Sequence, residues 1–292
     1  MTGDPHPLRH GLPLFLLAGV CLTSLDATAK VLVRDLPLLL VVWARYAGQM
    51  LFVTPFAWHR AGPSFWHTRR LPLHLVRSLM LVLATLGFFG GLRYLPLAEA
   101  SAITFLAPIF IVALSWPLLR EHAPAARRVA SAAGFAGILI LLRPGSAVMH
   151  PAVLLLVGAA LANALYQLLT RKLLDEVPNT TLFYSATVGT VVLSLALAVT
   201  LELPPLDGVA LLLFLLMGLL AGLGHWCLTH AYMHAPASLL TPFTYLQMLW
   251  ATALGLVVFG QHPDAVSAIG MSIIVASGLW LAWWERRRAR LL

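Results

Sequence analysis

The chain has 292 residues, of which 60% are hydrophobic and only 10% are charged, and its mean hydropathy is +0.87. Soluble domains carry roughly 25% charged residues, so this composition excludes a fully water-facing surface and indicates an integral membrane protein. The net charge of +8 comes from short arginine clusters between apolar runs. No basic stripe on a soluble face is visible, which argues against nucleic acid as a partner.

The first apolar run follows Arg9 and contains Asp26-Ala-Thr-Ala, a pattern similar to that of a secretory signal peptide. We assign it instead to the first transmembrane helix, because many apolar segments follow and an internal repeat needs it as its opening helix. Cys21 and Cys227 both lie inside apolar runs. Neither a disulfide framework nor a metal site is predicted from them.

The apolar runs predict ten transmembrane helices, since a bilayer core needs about 20 apolar residues per helix. They lie roughly at 12–32, 37–57, 74–94, 97–119, 127–143, 152–171, 179–201, 208–231, 237–259 and 264–284. The third is short, and Arg77 and Arg93 at its ends are expected to snorkel to the membrane interfaces. Pro108 and Pro242 fall inside predicted helices, where each should kink the helix or free a carbonyl.

The stretch 93–143 returns as a weaker copy at 232–283, with Gln261 in the place of Glu121 and Gly270 in the place of Ala130, each 140 residues later. A slip of two or three residues near Tyr94 aligns both ends. The sequence therefore predicts two repeats, 12–143 and 152–284. Five helices per repeat is an odd number, so the second copy is inverted. The predicted fold is an all-α integral membrane protein with ten transmembrane helices as two inverted five-helix repeats, an architecture typical of secondary transporters with a midplane site.

The basic residues predict the orientation of the chain. With both termini in the cytoplasm, fourteen basic residues lie inside, and four (Lys30, Arg34, Arg93 and Arg143) lie outside. Arg45 is left within the membrane. The predicted location is a bacterial inner membrane, crossed many times.

Asp26 and Arg45 are the charges set deepest in apolar sequence, at similar depths in the first and second helices. They can form an ion pair, and Lys30, four residues after Asp26, offers a competing partner. One interpretation is charge coupling or recognition of a charged substrate group, because intramembrane charge is costly. The other is a structural ion pair that locks two helices.

Polar residues on the later helices predict the substrate site. Asn163, Tyr166, Gln167 and Thr170 follow a helical spacing that gives one polar face. That face should line a central pathway, unless it is only a hydrogen-bonded seam between helices. The remaining predicted substrate contacts are Phe88, His225, Thr244, Tyr245 and Gln247. Rings, hydroxyls and an amide suit a small, partly aromatic solute.

No motif for catalysis, nucleotide hydrolysis or metal binding is present in the sequence. We therefore predict that the chain is not an enzyme and needs no cofactor and no metal. The expected partners are a small-molecule substrate and the lipid bilayer. A monomer is predicted, because ten helices with two repeats can enclose a pathway alone.

The motifs around each repeat end resemble those of EamA-type members of the drug/metabolite transporter superfamily. The matching residues are Leu97-Ala-Glu-Ala-Ser, Leu106-Ala-Pro108, Arg120-Glu121, Gly134 and Gly137 in the first copy, and Ala235-Pro-Ala-Ser238, Phe259-Gly-Gln261 and Gly270 in the second. The resemblance covers 12–284 and implies a ten-helix bacterial exporter of small metabolites. The aromatic and hydroxyl content is most similar to the YddG-type exporters of aromatic and neutral amino acids. Gln261 departs from the family pattern at the second acidic position.

Two other interpretations stay open. A nucleotide-sugar or sugar-phosphate transporter of the same fold would need a concentrated basic pocket at the midplane, and Arg45 alone gives thin support. A multidrug transporter of the same fold is a further alternative. A membrane enzyme acting on lipid-linked substrates would need a catalytic constellation near one interface, and the longest predicted loop, about 58–73, is instead rich in basic and aromatic residues.

Overall fold

The computed structural model describes residues 7–62, 65–119, 124–143, 150–173, 178–200, 204–234, 240, 243 and 246–289. Apart from short turns, these residues form eleven α-helices. They are α1 (Pro7–Asp35), α2 (Leu38–Ala61), α3 (Leu71–Leu92), α4 (Leu97–Thr104), α5 (Ala107–Leu119), α6 (Ala125–Leu142), α7 (Val153–Arg171), α8 (Pro178–Thr200), α9 (Gly208–His234), α10 (Leu246–Phe259) and α11 (Ala265–Ala289).

The helices account for all ten predicted transmembrane segments. Eight spans in the described chain are long and apolar enough to cross a membrane, and Leu246–Phe259 and Ala265–Leu281 are two shorter apolar helices. One of the eight, Leu97–Leu114, is made of α4 and α5 together. The prediction of an all-α, ten-span membrane protein is confirmed. Because the number of spans is even, the first span begins and the last span ends on the same side of the bundle, which we name the terminal side.

The fourth span is broken between α4 and α5, and Pro108 is the second residue of α5. A proline at this position has no N–H for the Thr104 carbonyl, and its ring pushes that carbonyl away. The break is closed by shorter bonds: the N–H of Phe105 donates to Ala102 O and that of Leu106 to Ile103 O, at 3.1 and 3.0 Å. Pro242 lies outside the described residues.

The pairs of packed helices follow the internal repeat. If each of the first five spans is exchanged with its counterpart among the last five, the same set of pairs results. The first span packs on the eighth (α1 on α9), and correspondingly the sixth packs on the third (α7 on α3). The second packs on the seventh (α2 on α8) and the fifth on the tenth (α6 on α11), pairs that the exchange leaves unchanged. Such a pattern is typical of two copies of one five-helix unit facing each other.

Two helix crossings bring backbones into direct contact at glycines. A Cβ on Gly48 of α2 would lie 2.6 Å from the Cα of Gly218 of α9. A Cβ on Gly137 of α6 would lie 2.8 Å from the carbonyl oxygen of Gly270 of α11. Without water to drive apolar association, membrane helices gain stability from close backbone packing, which small residues permit. These crossings hold α2 on α9 and α6 on α11.

Replacing Gly137 with alanine should therefore destabilise the bundle. The new methyl group meets backbone rather than a movable side chain, and overpacking of this kind costs about 1–3 kcal/mol. Gly158→Ala is the matched control, because nothing lies within 4 Å of its Cβ position and alanine favours a helix. Thermal unfolding in detergent should show a lower Tm for Gly137→Ala and an equal or higher Tm for Gly158→Ala. Equal Tm values for Gly137→Ala and the parent would contradict the tight crossing.

Candidate functional site

Polar side chains meet inside the bundle where α2, α3 and α9 pack. The guanidinium group of Arg45, only 5% exposed, lies 3.2 Å from His225 Nε2 and 4.4 Å from the centre of the Tyr46 ring. The hydroxyls of Tyr46 and Thr85 are hydrogen-bonded at 3.0 Å. Together with Gln49, one helical turn beyond Arg45, these residues form what we name the Arg45 cluster. It joins three helices and both repeats.

Several atoms of the Arg45 cluster are buried without a hydrogen-bond partner in the described part of the protein. They are Nη1 of Arg45 and both amide atoms of Gln49. Because Arg45 and Gln49 are four residues apart on α2, they share one face of that helix. Buried polar groups nearly always find partners, and leaving one unpaired costs about 1–3 kcal/mol. The cluster thus presents a cationic donor and an amide to whatever enters the bundle.

A second buried arginine, Arg77 of α3, is only 2% exposed and was assigned from the sequence to the membrane interface. That prediction is wrong, because the guanidinium group turns into the bundle and bonds to α7 and α8. It donates to Thr170 Oγ1 at 2.6 Å, to the Tyr166 hydroxyl at 2.8 Å, to Ser185 Oγ at 2.8 Å and to the Thr181 carbonyl at 3.3 Å. We name these five residues the Arg77 cluster. In the sequence, the Arg77 cluster was indicated only by Tyr166 and Thr170, two acceptors that lie four residues apart on one face of α7.

Asp26 and Lys30 do not form a pair. Asp26 is half-buried on α1 and lies in the electrostatic field of Arg45. Lys30 is buried, and its ammonium group donates to the carbonyls of Leu92 and Leu95 at 2.7 and 2.5 Å. These carbonyls stand at the C-terminal end of α3, where unpaired acceptors and the helix dipole favour a cation. Lys30 therefore ties α1 to α3 and leaves Arg45 as the cation that acts on Asp26.

The predicted polar face of α7 is divided by the packing of the helix. Tyr166 and Thr170, one turn apart, contact Arg77, and Asn163 is half-buried. The side chain of Gln167 is exposed where that of Tyr166 is half-buried, and its role as a pathway residue stays a prediction. The difference in exposure is geometric: α7 packs on α3 through Tyr166, and the next residue points about 100° away.

Gln247 lies apart from the Arg45 cluster, and Phe88 is half-buried against the core. Gln247 lines a groove of about 450 Å³ between α1 and α10, whose other lining residues include Trp250 and Val20. The Gln247 side chain packs directly against Gly19, because a Cβ added to Gly19 would lie only 3.0 Å from Gln247 Cγ. Thr244 and Tyr245 lie outside the described residues.

On the side opposite the termini, polar contacts link α4, α6 and α11. Gln261 accepts the N–H of Leu97 at 3.1 Å and so caps α4 through a neutral amide oxygen, a role that requires no carboxylate. Ser267 donates to Glu99 Oε1 at 3.0 Å. Arg143 and Asp264 form an ion pair. The hydrogen bond from Arg143, with a further bond from Ser267, lowers the pKa of Asp264 from 3.8 to about 2.

The Arg143–Asp264 pair should stabilise the protein only above acidic pH. A depressed carboxyl pKa contributes stability above the unfolded value of about 3.9, and that contribution is lost as pH falls towards 2. Asp264→Asn removes the charge and keeps an amide oxygen that can accept the Ser267 N–H as a helix cap. The parent Tm should exceed that of Asp264→Asn by about 1–3 °C at pH 7, as for other exposed pairs.

Below pH about 4 the two Tm curves should converge. Asp264→Ala, which also loses the cap, should remain lower at every pH. A parent–Asn difference that persists unchanged to pH about 2 would contradict the ion pair as its source.

Two stretches of the chain, residues 9–143 and 150–283, each match the EamA-like transporter family. The S-adenosylmethionine uptake transporter of Rickettsia felis is 28% identical, over 95% of this chain and 94% of its own. Riboflavin transporters of Rhizobium johnstonii and Vibrio cholerae are 32% and 29% identical, over 98% and 99% of this chain and 95% and 98% of theirs.

A solved structure, titled only as the crystal structure of a protein, has a TM-score of 0.70 at 18% identity. It covers 98% of this chain and 99% of its own, and shows the same fold. The named relatives are named for S-adenosylmethionine and riboflavin rather than for amino acids. The narrower resemblance to YddG-type exporters therefore stays a prediction.

Proposed function

The chain belongs to the EamA-like transporter family, and from that premise we propose that it exports aromatic and other neutral amino acids through the centre of the bundle. It is a multi-pass membrane protein and a secondary transporter of small metabolites, not an enzyme. The proposal concerns which metabolite crosses, in which direction, and which side chains hold it.

The observation that carries the proposal is the unpartnered polar surface of α2. Arg45 Nη1 and the Gln49 amide are buried on one helix face, and no described protein group satisfies them. A carboxylate gives Arg45 the acceptor that it lacks, in a charge-assisted bond about twice as strong as a neutral one. The Gln49 amide offers both a donor and an acceptor to the rest of the solute. An α-amino acid supplies groups for both residues.

Asp26 is the proposed partner of the substrate's ammonium group. Its carboxylate is half-buried, and Lys30 is occupied by the end of α3. Arg45, the cation that acts on Asp26, has another neighbour in His225. A zwitterion placed between Asp26 and Arg45 would put its ammonium beside the acid and its carboxylate beside the base. Opposite charges at close range stabilise each other strongly in a membrane interior.

Aromatic residues that neighbour members of the Arg45 cluster along α3 and α9 support a ring-bearing substrate. Trp226 follows His225 on α9, and its indole N–H is buried without a partner in the described chain. Phe88 lies one turn beyond Thr85 on α3. Asn163 and Tyr166 are the contacts we propose on α7. Offset or edge-to-face ring packing adds about 0.5–1.5 kcal/mol beyond burial alone.

Transport by alternating access fits an inverted repeat, in which the two halves rock about a midplane site. We propose the bacterial inner membrane, with both termini in the cytoplasm because the terminal side carries the arginine clusters. We propose that transport is outward. Because one relative is named for S-adenosylmethionine uptake, inward flux is measured as well.

Riboflavin is the second candidate substrate. A transporter 32% identical over nearly the whole chain is named for it. Riboflavin is flat, aromatic and uncharged, and its hydroxyls would pair with neutral groups. Gln49, Ser78 and the Trp226 N–H are buried, unpartnered groups of that kind among the described residues.

Solute counterflow in proteoliposomes tests the proposal. Radiolabelled phenylalanine, threonine, riboflavin, S-adenosylmethionine and UDP-glucose are compared in both directions against protein-free liposomes. We expect saturable flux of the amino acids, and at least tenfold lower flux in Arg45→Gln, because a lost charge-assisted bond costs about 1.5–3 kcal/mol. Asp26→Asn should weaken amino acids and spare riboflavin.

Arg287→Gln is the matched control, since Arg287 is exposed near the end of α11 against the Trp283 ring. Its flux should equal that of the parent. Flux of riboflavin without any amino acid would replace the first candidate with the second. Flux of UDP-glucose alone would sink both.

A further inference from the structure

Arg77 carries a positive charge into the bundle without a carboxylate to balance it. In the chain as described, its hydrogen bonds go to three hydroxyls and one carbonyl, and its guanidinium lies 4.5 Å from the centre of the Tyr166 ring. These acceptors satisfy its donors and leave its charge uncompensated. A buried charge without a counter-ion is costly in a membrane, and such residues usually mark a substrate or ion pathway.

The internal repeat relates the surroundings of Arg77 to those of Arg45. Asp26 and Tyr166 stand 140 residues apart, and so do Arg45 and Ser185. In the first copy, Arg45 acts on Asp26. In the second copy, the equivalent positions, Tyr166 and Ser185, both bind the guanidinium of Arg77. Each copy thus has one guanidinium group at these equivalent positions. In the first copy it belongs to Arg45 itself, and in the second it belongs to Arg77 of α3.

The inversion of the repeat sets the two guanidinium groups on opposite halves of the bundle. Arg45 lies seven residues from Leu38, where α2 begins on the side opposite the termini. Arg77 lies six residues from Leu71, where α3 begins on the terminal side. At 1.5 Å per residue each stands about 10 Å from its own end. His225, which lies 3.2 Å from the Arg45 guanidinium, is also in the electrostatic field of Arg77.

We infer that Arg77 is a second anion-binding position, equivalent to Arg45 through the internal repeat and nearer the terminal side. The anionic group of a solute bound at one position can be handed to the other as the two halves rock. Ser78, the next residue of α3, is fully buried, and its hydroxyl is an unpartnered donor in the described chain. The inference rests on the proposed function only in naming that anion as the substrate's carboxylate.

Substitution of Ser185 offers a sharp test, because its hydroxyl already accepts from Arg77 at 2.8 Å. Ser185→Asp places a carboxylate there and neutralises Arg77 from within the protein. Ser185→Asn is the matched control, with similar size and no charge. Sodium benzoate is the probe, compared with equal sodium chloride, and the readout is the benzoate-induced rise in Tm of the purified full chain in detergent.

The titration is made in the parent and in Arg45→Gln protein, since Arg45 is itself expected to bind benzoate. A benzoate-induced rise should remain in Arg45→Gln, and adding Ser185→Asp should raise the half-maximal benzoate concentration at least tenfold. Adding Ser185→Asn should change it less than twofold. If Ser185→Asp does not fold, Arg77→Gln takes its place with the same expected loss.

Three outcomes would overturn the second position: no rise in the parent, no rise left in Arg45→Gln, or a rise that Ser185→Asp leaves unchanged. These are separable from failure of the proposed function. Benzoate binding that needs Arg77, in a protein that moves no amino acid, would keep the anion position and reject the substrate. Amino-acid flux in a protein whose benzoate binding does not change with Ser185→Asp would keep the proposed substrate and reject the second anion position.

Discussion

A charged side chain inside a membrane bundle has to find its partners within the protein, and this constraint explains much of the arrangement. Lys30 takes the end carbonyls of α3, and Arg93 takes Val33 O at 2.7 Å near the end of α1. Arg77 collects hydroxyls from α7 and α8. Each contact ties one helix to another and satisfies a donor that lipid cannot satisfy. Arg45 differs in keeping one buried donor, Nη1, without a partner in the described chain.

The contrast between the two arginines follows from what the helices around them supply. Around Arg77 the neighbouring helices offer hydroxyls at 2.6 to 2.8 Å, which saturate its donors and hold three helices together. Around Arg45 they offer one imidazole, one ring face and an acid in its field. The hydrogen bonds of Arg77 hold helices together and leave its charge without a counter-ion, whereas Arg45 keeps one donor for a solute. The inverted repeat supplies both on one scaffold, with the glycine crossings keeping the backbones close enough for short side chains to reach.

Much of the candidate site was accessible to prediction from residue type alone. Asp26, Arg45, Tyr166 and His225 stood out because polar groups in apolar runs are rare, and the structure places three of these four in or directly against the two clusters, with Asp26 in the field of Arg45. Arg77 was missed because it sits only six residues from a helix start, a distance from which an arginine can reach either water or the core. Gln167 stays a prediction, because a polar stripe does not say which of its edges faces inwards.

The sequence by itself determined the membrane setting, the ten spans and the inverted repeat, because these depend on local hydrophobicity, on proline and on a period along the chain. The tertiary structure alone decided which charges meet. Lys30 could not be assigned to Leu92, 62 residues away, nor Arg77 to Ser185, 108 residues away, from any local pattern. Such pairings depend on how helices rotate and cross, and at Gly48–Gly218 and Gly137–Gly270 the crossing is set by packing between distant parts of the chain. Rotation about a helix axis leaves no mark on composition, so the inward edge of each helix appears only when its neighbours are in place.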